Sequence, residues 1–373
     1  MSDPSRRRFM LQTASAAAAP FVSAAGSRAL ARGSRALAQG SRRKIGIALC
    51  GLGQLSRDQI APAIAKTVHC RLAGLITGSA QKARDWQAQY GIPARSIYTY
   101  DTMARMADNP DIDVVYIVTP NAEHLEQTVR AAGAGKHVFC EKPMAVSVEA
   151  GQRMIAACAA AKRLLGIAYR CQYDPDHLEC IRIARSGEFG PIRTIDAGFG
   201  IQVGPAGQWR LKRRLSGGGA LVDVGIYALQ ATRYLTGAEP IEVSAFESKT
   251  DPKKFAEVDE QMSWLARFPG GIVAKCAASY NLSGLNAFRV YAERGWFGLD
   301  PAFAYGGNRG ERSDGKAIAL PEPDLFAAEM DDFARCILDG GPSKVSGEEG
   351  LKDLRIMTAI YESARSGRAV TVA

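Results

Sequence analysis

Lys44-Ile45-Gly46-Ile47-Ala48-Leu49-Cys50 is a short apolar run that passes without a break into Gly51-Leu52-Gly53-Gln54-Leu55-Ser56. Apolar residues bounded by glycines predict a buried strand, and two glycines one residue apart predict a tight turn into a helix. The first glycine permits the bend. The second leaves the backbone bare where a pyrophosphate can rest on the N–H groups of the helix start. Ser56 stands where the third glycine of a G-x-G-x-x-G fingerprint would be, so close helix packing is only approximate and a purely structural turn competes with nucleotide binding. Position favours the nucleotide, because the turn follows the first strand of a βαβ pattern.

That pattern continues outward. Further apolar runs at 71–77, 114–119, 137–140 and 164–168 alternate with helical stretches at 80–90 and 123–134, which end at Gly91 and Gly135. Asp113-Val114-Val115-Tyr116-Ile117-Val118 has the near-continuous apolarity of a strand covered on both faces. After about residue 169 the grammar changes to long runs of period two at 194–203, 241–248, 261–268, 272–279 and 287–293, with Pro269-Gly270-Gly271 as a hairpin turn, and helices return at 325–338 and 348–364. The expected class is α/β: a Rossmann dinucleotide-binding domain over 39–168, then an α+β domain over 169–373 with a large, open-faced, mainly antiparallel sheet.

The end of the second strand bears on which nucleotide binds. In Ile76-Thr77-Gly78-Ser79-Ala80-Gln81-Lys82-Ala83-Arg84 no carboxylate appears before Asp85 to receive a ribose 2′-hydroxyl, whereas Ser79 and Lys82 suit a 2′-phosphate. NADP is the expected cofactor. Lys82 and Arg84 as plain solvated helix residues is the blander reading.

Composition removes several function classes. Of 373 residues 47% are hydrophobic and 23% charged, as in ordinary globular proteins, and the mean hydropathy is −0.11. No apolar stretch in the body of the chain is long enough to cross a bilayer. The net charge of +9 is concentrated at the N-terminus, where residues 1–38 hold six arginines and one acid; the remainder carries +4, too little for a phosphate-binding stripe, so nucleic acid is not expected as a partner. Ser5-Arg6-Arg7-Arg8-Phe9-Met10-Leu11, an Ala-rich stretch and Ala36-Leu37-Ala38 read as a twin-arginine-type signal peptide over 1–38 and hence a periplasmic location, with a disordered basic tail as the alternative. The eight cysteines include no C-x-x-C pair, which argues for buried free thiols and against a metal site.

Ligands of open parallel sheets bind beyond the carboxyl ends of the strands. There the chain has Thr119-Pro120-Asn121-Ala122-Glu123-His124 and Cys140-Glu141-Lys142-Pro143. Farther on, Asp223 and Tyr227 are four apart, the spacing that places two side chains on one helix face, and Gly217-Gly218-Gly219 let a substrate or backbone come close. A hydride donor loses a hydroxyl proton as the hydride leaves. The expected division of labour is Tyr227 as proton acceptor and donor, Lys142 as the ammonium that tunes it and polarises the oxygen, and Asp223 as the group that orients hydroxyls. Taken singly, each residue has a structural alternative: surface lysine, backbone partner, core aromatic.

These segments resemble the Gfo/Idh/MocA oxidoreductases, whose Glu-Lys-Pro tripeptide supplies a catalytic lysine. The resemblance runs through Gly166-Ile167-Ala168-Tyr169-Arg170, Gln208-Trp209-Arg210 and Gly217 to Tyr227, and covers essentially residues 44–370. Many members carry His where Tyr227 stands; this chain looks most like the exported sugar oxidoreductases of the glucose-fructose and aldose-aldose type. The resemblance implies that Pro120, Asn121, His124, Glu141, Arg170, Trp209 and Arg210 line the cofactor alongside Gly51, Leu52, Gly53, Gln54 and Leu55, and that Arg170 and Tyr280 face the sugar. It implies oxidation of aldoses at C1 to lactones, reduction of aldoses to alditols, and NADP retained between the two. The alternatives are a sugar or cyclitol dehydrogenase that exchanges free NADP or NAD, and a non-catalytic dinucleotide-binding regulator. Cleavage at Ala38 would leave only Gln39 to Lys44 before the first strand, too short to embrace a neighbour, so a homodimer through the open sheet is expected over an arm-linked tetramer.

Overall fold

A computed structural model describes residues 43–372. The export motif and cleavage site lie outside them. Six parallel strands form the first sheet: β1 (Ile45–Cys50), β2 (Cys70–Ile76), β3 (Ile97–Tyr98), β4 (Val114–Ile117), β5 (His137–Glu141) and β6 (Leu165–Ala168), in the order β3-β2-β1-β4-β5-β6. The order reverses between β1 and β4. A crevice therefore opens above their carboxyl ends, the usual ligand position of such sheets. Every residue of β1 and β4 is buried, which explains their unbroken apolarity. The helix Ala80–Tyr90 stops at Gly91, whose φ of 65° is the left-handed cap predicted from the sequence.

The second sheet has nine strands. To β7 (Ile192–Gly200), β8 (Glu242–Ser248), β9 (Gln261–Arg267), β10 (Val273–Ser279) and β11 (Asn286–Ala292) the structure adds β12 (Gly295–Leu299), β13 (Gly310–Arg312), β14 (Ala317–Ile318) and β15 (Val370–Thr371), in the order β14-β13-β12-β11-β7-β10-β9-β8-β15. All pairings are antiparallel except β7 with β10. Alternate residues point two ways. Val243, Ala245, Met262, Trp264, Ala274 and Ala278 are buried under helices, while Phe246 and Leu265 on the opposite face are 74% and 48% exposed.

Two polar knots fix the helix that carries Tyr227. Arg233, 2% exposed at its side chain, pairs with Asp353, Glu239 and Glu349, and Gln230 donates to Asp353 at 2.7 Å. These bonds tie the helix Ile226–Thr236 to the helix Gly347–Ser366. At its start, buried Asp259 accepts the N–H groups of Gly219 and Leu221 at 2.7 and 2.8 Å, an anion where a helix start favours one. The glycine run serves this packing: a Cβ on Gly219 would lie 2.0 Å from the Asp259 carbonyl oxygen, and one on Gly218 would lie 2.2 Å from the Tyr361 hydroxyl. The close approach expected of Gly217–Gly219 is made by the protein's own backbone and Tyr361.

Candidate active site

At the end of β1 the chain turns through Gly51 at φ 98°, where a Cβ would strike Val118 and Thr119. A Cβ on Gly53 would meet no described atom within 4 Å, so the backbone there is open to a ligand. The missing third glycine has a local answer. The Ser56 hydroxyl is buried and donates to the Gly51 carbonyl at 2.6 Å, closing the loop, and the next turn, Ser56–Ile60, is π-helical. Gln54 is exposed beside Gly53; Leu52 and Leu55 pack into the core beneath. Ser79 caps the helix Ala80–Tyr90 by accepting the Lys82 N–H at 3.3 Å, while Lys82 itself is exposed. These features fit a dinucleotide: an open turn for the pyrophosphate and an exposed cation after β2 with no acid between that strand and Asp85.

Beyond β5, the Lys142 Nζ donates to Asp223 Oδ1 at 2.9 Å and to the Asp223 carbonyl oxygen at 2.8 Å. Asp223 Oδ2 accepts from Arg210 Nε at 3.0 Å and from the Tyr280 hydroxyl at 2.9 Å. Burial alone would raise the Asp223 carboxyl, but Lys142 and Arg210 hold it well below the usual range. Burial likewise opposes the Lys142 charge, yet Asp223, Tyr227 and Glu141 hold its ammonium well above the ordinary value. Lys142 Nζ lies 5.0 Å from the centre of the Tyr227 ring and the Arg170 guanidinium 4.9 Å from it. Asp223 and Tyr227 share this site although the former lies in a π-helical turn, Leu221–Gly225, and the latter in the α-helix that follows. The arrangement sets a fixed ammonium and carboxylate beside a phenol at a crevice, the groups a proton-coupled hydride transfer requires.

Residues 45–169 match the oxidoreductase family with an NAD-binding Rossmann fold, 177–298 the GFO/IDH/MocA C-terminal domain, and 308–372 the oxidoreductase-family C-terminal alpha/beta domain. The chain belongs to the Gfo/Idh/MocA oxidoreductase family. It is similar to the aldose-aldose oxidoreductase of Caulobacter crescentus, solved with glycerol, at 43% identity and a TM-score of 0.85, with 88% of this chain and all of the other covered. The D-xylose 1-dehydrogenase [NADP(+)] of Haloarcula marismortui is 30% identical over 335 residues, 87% of this chain and 92% of the relative. The 1,5-anhydro-D-fructose reductase of Ensifer adhaerens is 24% identical, with 87% and 97% covered.

As a Gfo/Idh/MocA oxidoreductase the chain places several residues differently from a simple lining. His124 is fully buried: Nε2 lies 3.0 Å from the Thr119 carbonyl oxygen, and Nδ1 3.1 and 3.2 Å from those of Pro143 and Met144. It joins the loops after β4 and β5 from behind. Asn121 donates to the Ser216 carbonyl at 2.8 Å and bridges the two halves of the chain, next to half-buried Pro120. Tyr280 has no exposed surface, so it does not face the crevice itself and meets it through its bond to Asp223. Arg170 donates to the Phe303 and Ala304 carbonyls at 2.6 and 2.7 Å. Arg210 lies 4.7 Å from the Trp209 ring centre.

Tyr305 joins the site from outside the motifs marked in the sequence. Its ring stands 4.8 Å from the Arg170 guanidinium and is 55% exposed at the crevice. The pattern Ala304-Tyr305-Gly306-Gly307, an aromatic beside two glycines in a loop, was the available signal.

Proposed function

We propose that this chain is an NADP-dependent aldose oxidoreductase that oxidises one aldose at C1 to the aldonolactone and reduces another to the alditol, with NADP(H) retained between the half-reactions. The observation that carries this reading is the meeting of Lys142, Asp223 and Tyr227 at the crevice, with the Caulobacter aldose-aldose oxidoreductase as the similar protein. In support of NADP, Ser79 and Lys82 follow β2 with no acid before Asp85, and the Haloarcula relative is named for NADP. Gly51, Gly53, Gln54, Pro120, Trp209 and Arg210 would hold the nucleotide, while Asn121 and Glu141, whose side chains bond to Ser216 and to Tyr116 and Lys142, would shape its bed from beneath. When bound, its nicotinamide accepts the C1 hydride and gives it back.

The chain's own residues handle the proton. Ionised Tyr227 takes the O1 proton as the C1–H bond of the sugar breaks, and the lactone leaves. In the second half-reaction protonated Tyr227 returns that proton to O1 of an open-chain aldose. Lys142 balances the negative charge on the sugar oxygen and stays charged because Asp223 faces it. Asp223, held by Arg210 and Tyr280, accepts from sugar hydroxyls, and Arg170 and Tyr305 wall the site. Two aldoses thus give one lactone and one alditol without net change in the nucleotide.

A second reading, a conventional dehydrogenase exchanging NADP, is favoured by the likeness to D-xylose 1-dehydrogenase. Protein purified without added cofactor separates the two. Release of NADP(H) on denaturation, with turnover of glucose alone, supports retention; an absolute need for free NADP supports exchange.

We also propose a homodimer through the open face of the second sheet. Across that face Leu265, Lys275, Asp196 and Arg289 are successive register partners, and Ser263, Ala277, Gly198 and Ala287 form the row beside them, with the Leu285 side chain lying over Gly198. Leu265→Glu should turn a dimer into a monomer in sedimentation; a parent that sediments as a monomer ends the proposal. Export to the periplasm rests on the motif in residues 5–38.

A further inference from the structure

Tyr116, in the middle of β4, is fully buried, and its hydroxyl lies 3.0 Å from Glu141 Oε1 and 3.2 Å from Glu329 Oε1. One phenolic proton can serve only one of two carboxyls. Glu141 immediately precedes Lys142 and uses its other oxygen to accept the Lys142 backbone N–H at 3.2 Å. Glu329, on the helix Leu325–Asp339, has no exposed surface, and its Oε2 has no hydrogen-bond partner among the described residues. Two ionised carboxylates there would repel each other and leave a charged oxygen desolvated and bare; a single proton removes the repulsion and makes that bare oxygen part of a neutral acid. The groups acting on this pair decide where the proton sits. Burial raises both carboxyls, but at Glu141 the Lys142 ammonium, the Tyr116 hydroxyl and Arg170 act against it, whereas Glu329 faces Glu141, Cys171 and Tyr173 and is raised further, with Arg170 as its cation. Glu141 already has acceptor roles for both oxygens, while Glu329 has one oxygen idle. The consistent order is Glu329 O–H to Tyr116 oxygen, and Tyr116 O–H to Glu141 carboxylate.

The same helix is seated on the same strands by ring packing. Phe333 stacks on Phe139 of β5 at 4.9 Å, and Phe139 meets Tyr116 edge-on at 4.9 Å. The polar chain therefore lies inside an apolar clamp, whose low dielectric strengthens the hydrogen bonds it makes.

We propose that Glu329 is a positioning residue of the hydride-transfer site: as a neutral acid it donates to Tyr116, Tyr116 donates to Glu141, and this chain holds the Glu141–Lys142 segment against Asp223. The role of that segment rests on the function proposed above. Burial and the adjacent Glu141 push the Glu329 carboxyl well above the usual range, in keeping with this order.

The test has two arms on the full-length protein. In the first, the infrared difference spectrum between parent and Glu329→Gln at neutral pH contains a protonated carboxylic-acid C=O band present only in the parent. In the second, Glu329→Gln keeps a neutral donor and retains kcat within about twofold, while Glu329→Leu and Tyr116→Phe lower kcat roughly tenfold or more with aldose KM and bound nucleotide little changed, as small misplacements of a reacting group do. Absence of the acid band overturns the proposal. So does parent-like kcat in Glu329→Leu, or a Glu329→Gln variant as impaired as Glu329→Leu. Should Glu329→Leu fail to fold, the spectrum and the Gln variant decide. Should the parent turn over no aldose at all, the proposed function falls, and the infrared arm still reports on Glu329.

Discussion

Lys142 Nζ, from the loop after β5, stands 2.9 Å from Asp223 Oδ1, from the π-helical turn before the Tyr227 helix, so one ion pair joins the two halves of the chain at the crevice. Both side chains are only 14% and 16% exposed, which makes the pair sensitive to loss of either partner. An unpaired buried charge is far more damaging than the pair is stabilising.

Replacing Tyr227 by Phe removes the proton carrier and leaves the ring that Lys142 and Arg170 flank. The expected loss in kcat is about 10²- to 10⁴-fold, with nucleotide content unchanged after purification. Steady-state assay plus release of nucleotide on denaturation measures both; parent-like kcat would remove Tyr227 from the reaction.

The ion pair predicts a flat pH response. Asp223 has its carboxyl lowered, so its stabilisation is present above the ordinary carboxylate value of about 4 and is lost only as pH falls through the depressed one. Lys142 has its ammonium raised, so its contribution is present below about 10.4 and is lost as pH rises through the elevated value. Between about pH 5 and 9 the intact pair should therefore contribute evenly, and near pH 7 Asp223→Asn should cost about 3–5 kcal/mol in thermal melts, because Lys142 and Arg210 lose their counter-charge. A loss below about 1 kcal/mol near pH 7, the size of a surface pair, contradicts the assignment.

Two glycines should behave oppositely. Gly219→Ala drives a methyl to 2.0 Å from the Asp259 carbonyl, so thermal melts should show a loss of about 1–3 kcal/mol or more, with activity falling as the Asp223 turn shifts. Gly53→Ala meets open space and should leave stability within about 0.5 kcal/mol, yet weaken nucleotide binding measured by calorimetry. Equal thermal effects would refute the reading of both.

Exposed Lys82 beyond β2 should act on one nucleotide only. Lys82→Glu is expected to weaken NADP binding roughly tenfold or more while leaving NAD affinity nearly unaltered. Parallel losses for both would show that Lys82 does not meet the 2′-phosphate.

Much of this was legible in the chain because local signals and burial agreed. The β1 boundaries and the stop at Gly91 follow from apolar runs and a left-handed glycine, which need no knowledge of distant residues. The short strands β3 and β12–β15 were missed because they are two to five residues long and draw their stability from neighbours in the sheet. The parallel pairing of β7 with β10 and the π-helical turn at Asp223 depend on tertiary contacts that period-two or i,i+4 spacing does not encode. Lys142 and Tyr227 stood out by residue type and neighbours. Asp259, Tyr305 and Glu329 come from far along the chain, where nothing local marks a buried acid such as Glu329 as the partner of a tyrosine 213 positions earlier, Tyr116 in β4.

The direct measurement is incubation of enzyme purified without added nucleotide with glucose deuterated at C1 as the sole reactant. The account predicts gluconate and sorbitol in equal amounts, the sorbitol carrying two deuterium atoms at C1, and neither product from Tyr227→Phe. Sorbitol with a single deuterium at C1, or no product until free NADP is supplied, would contradict it.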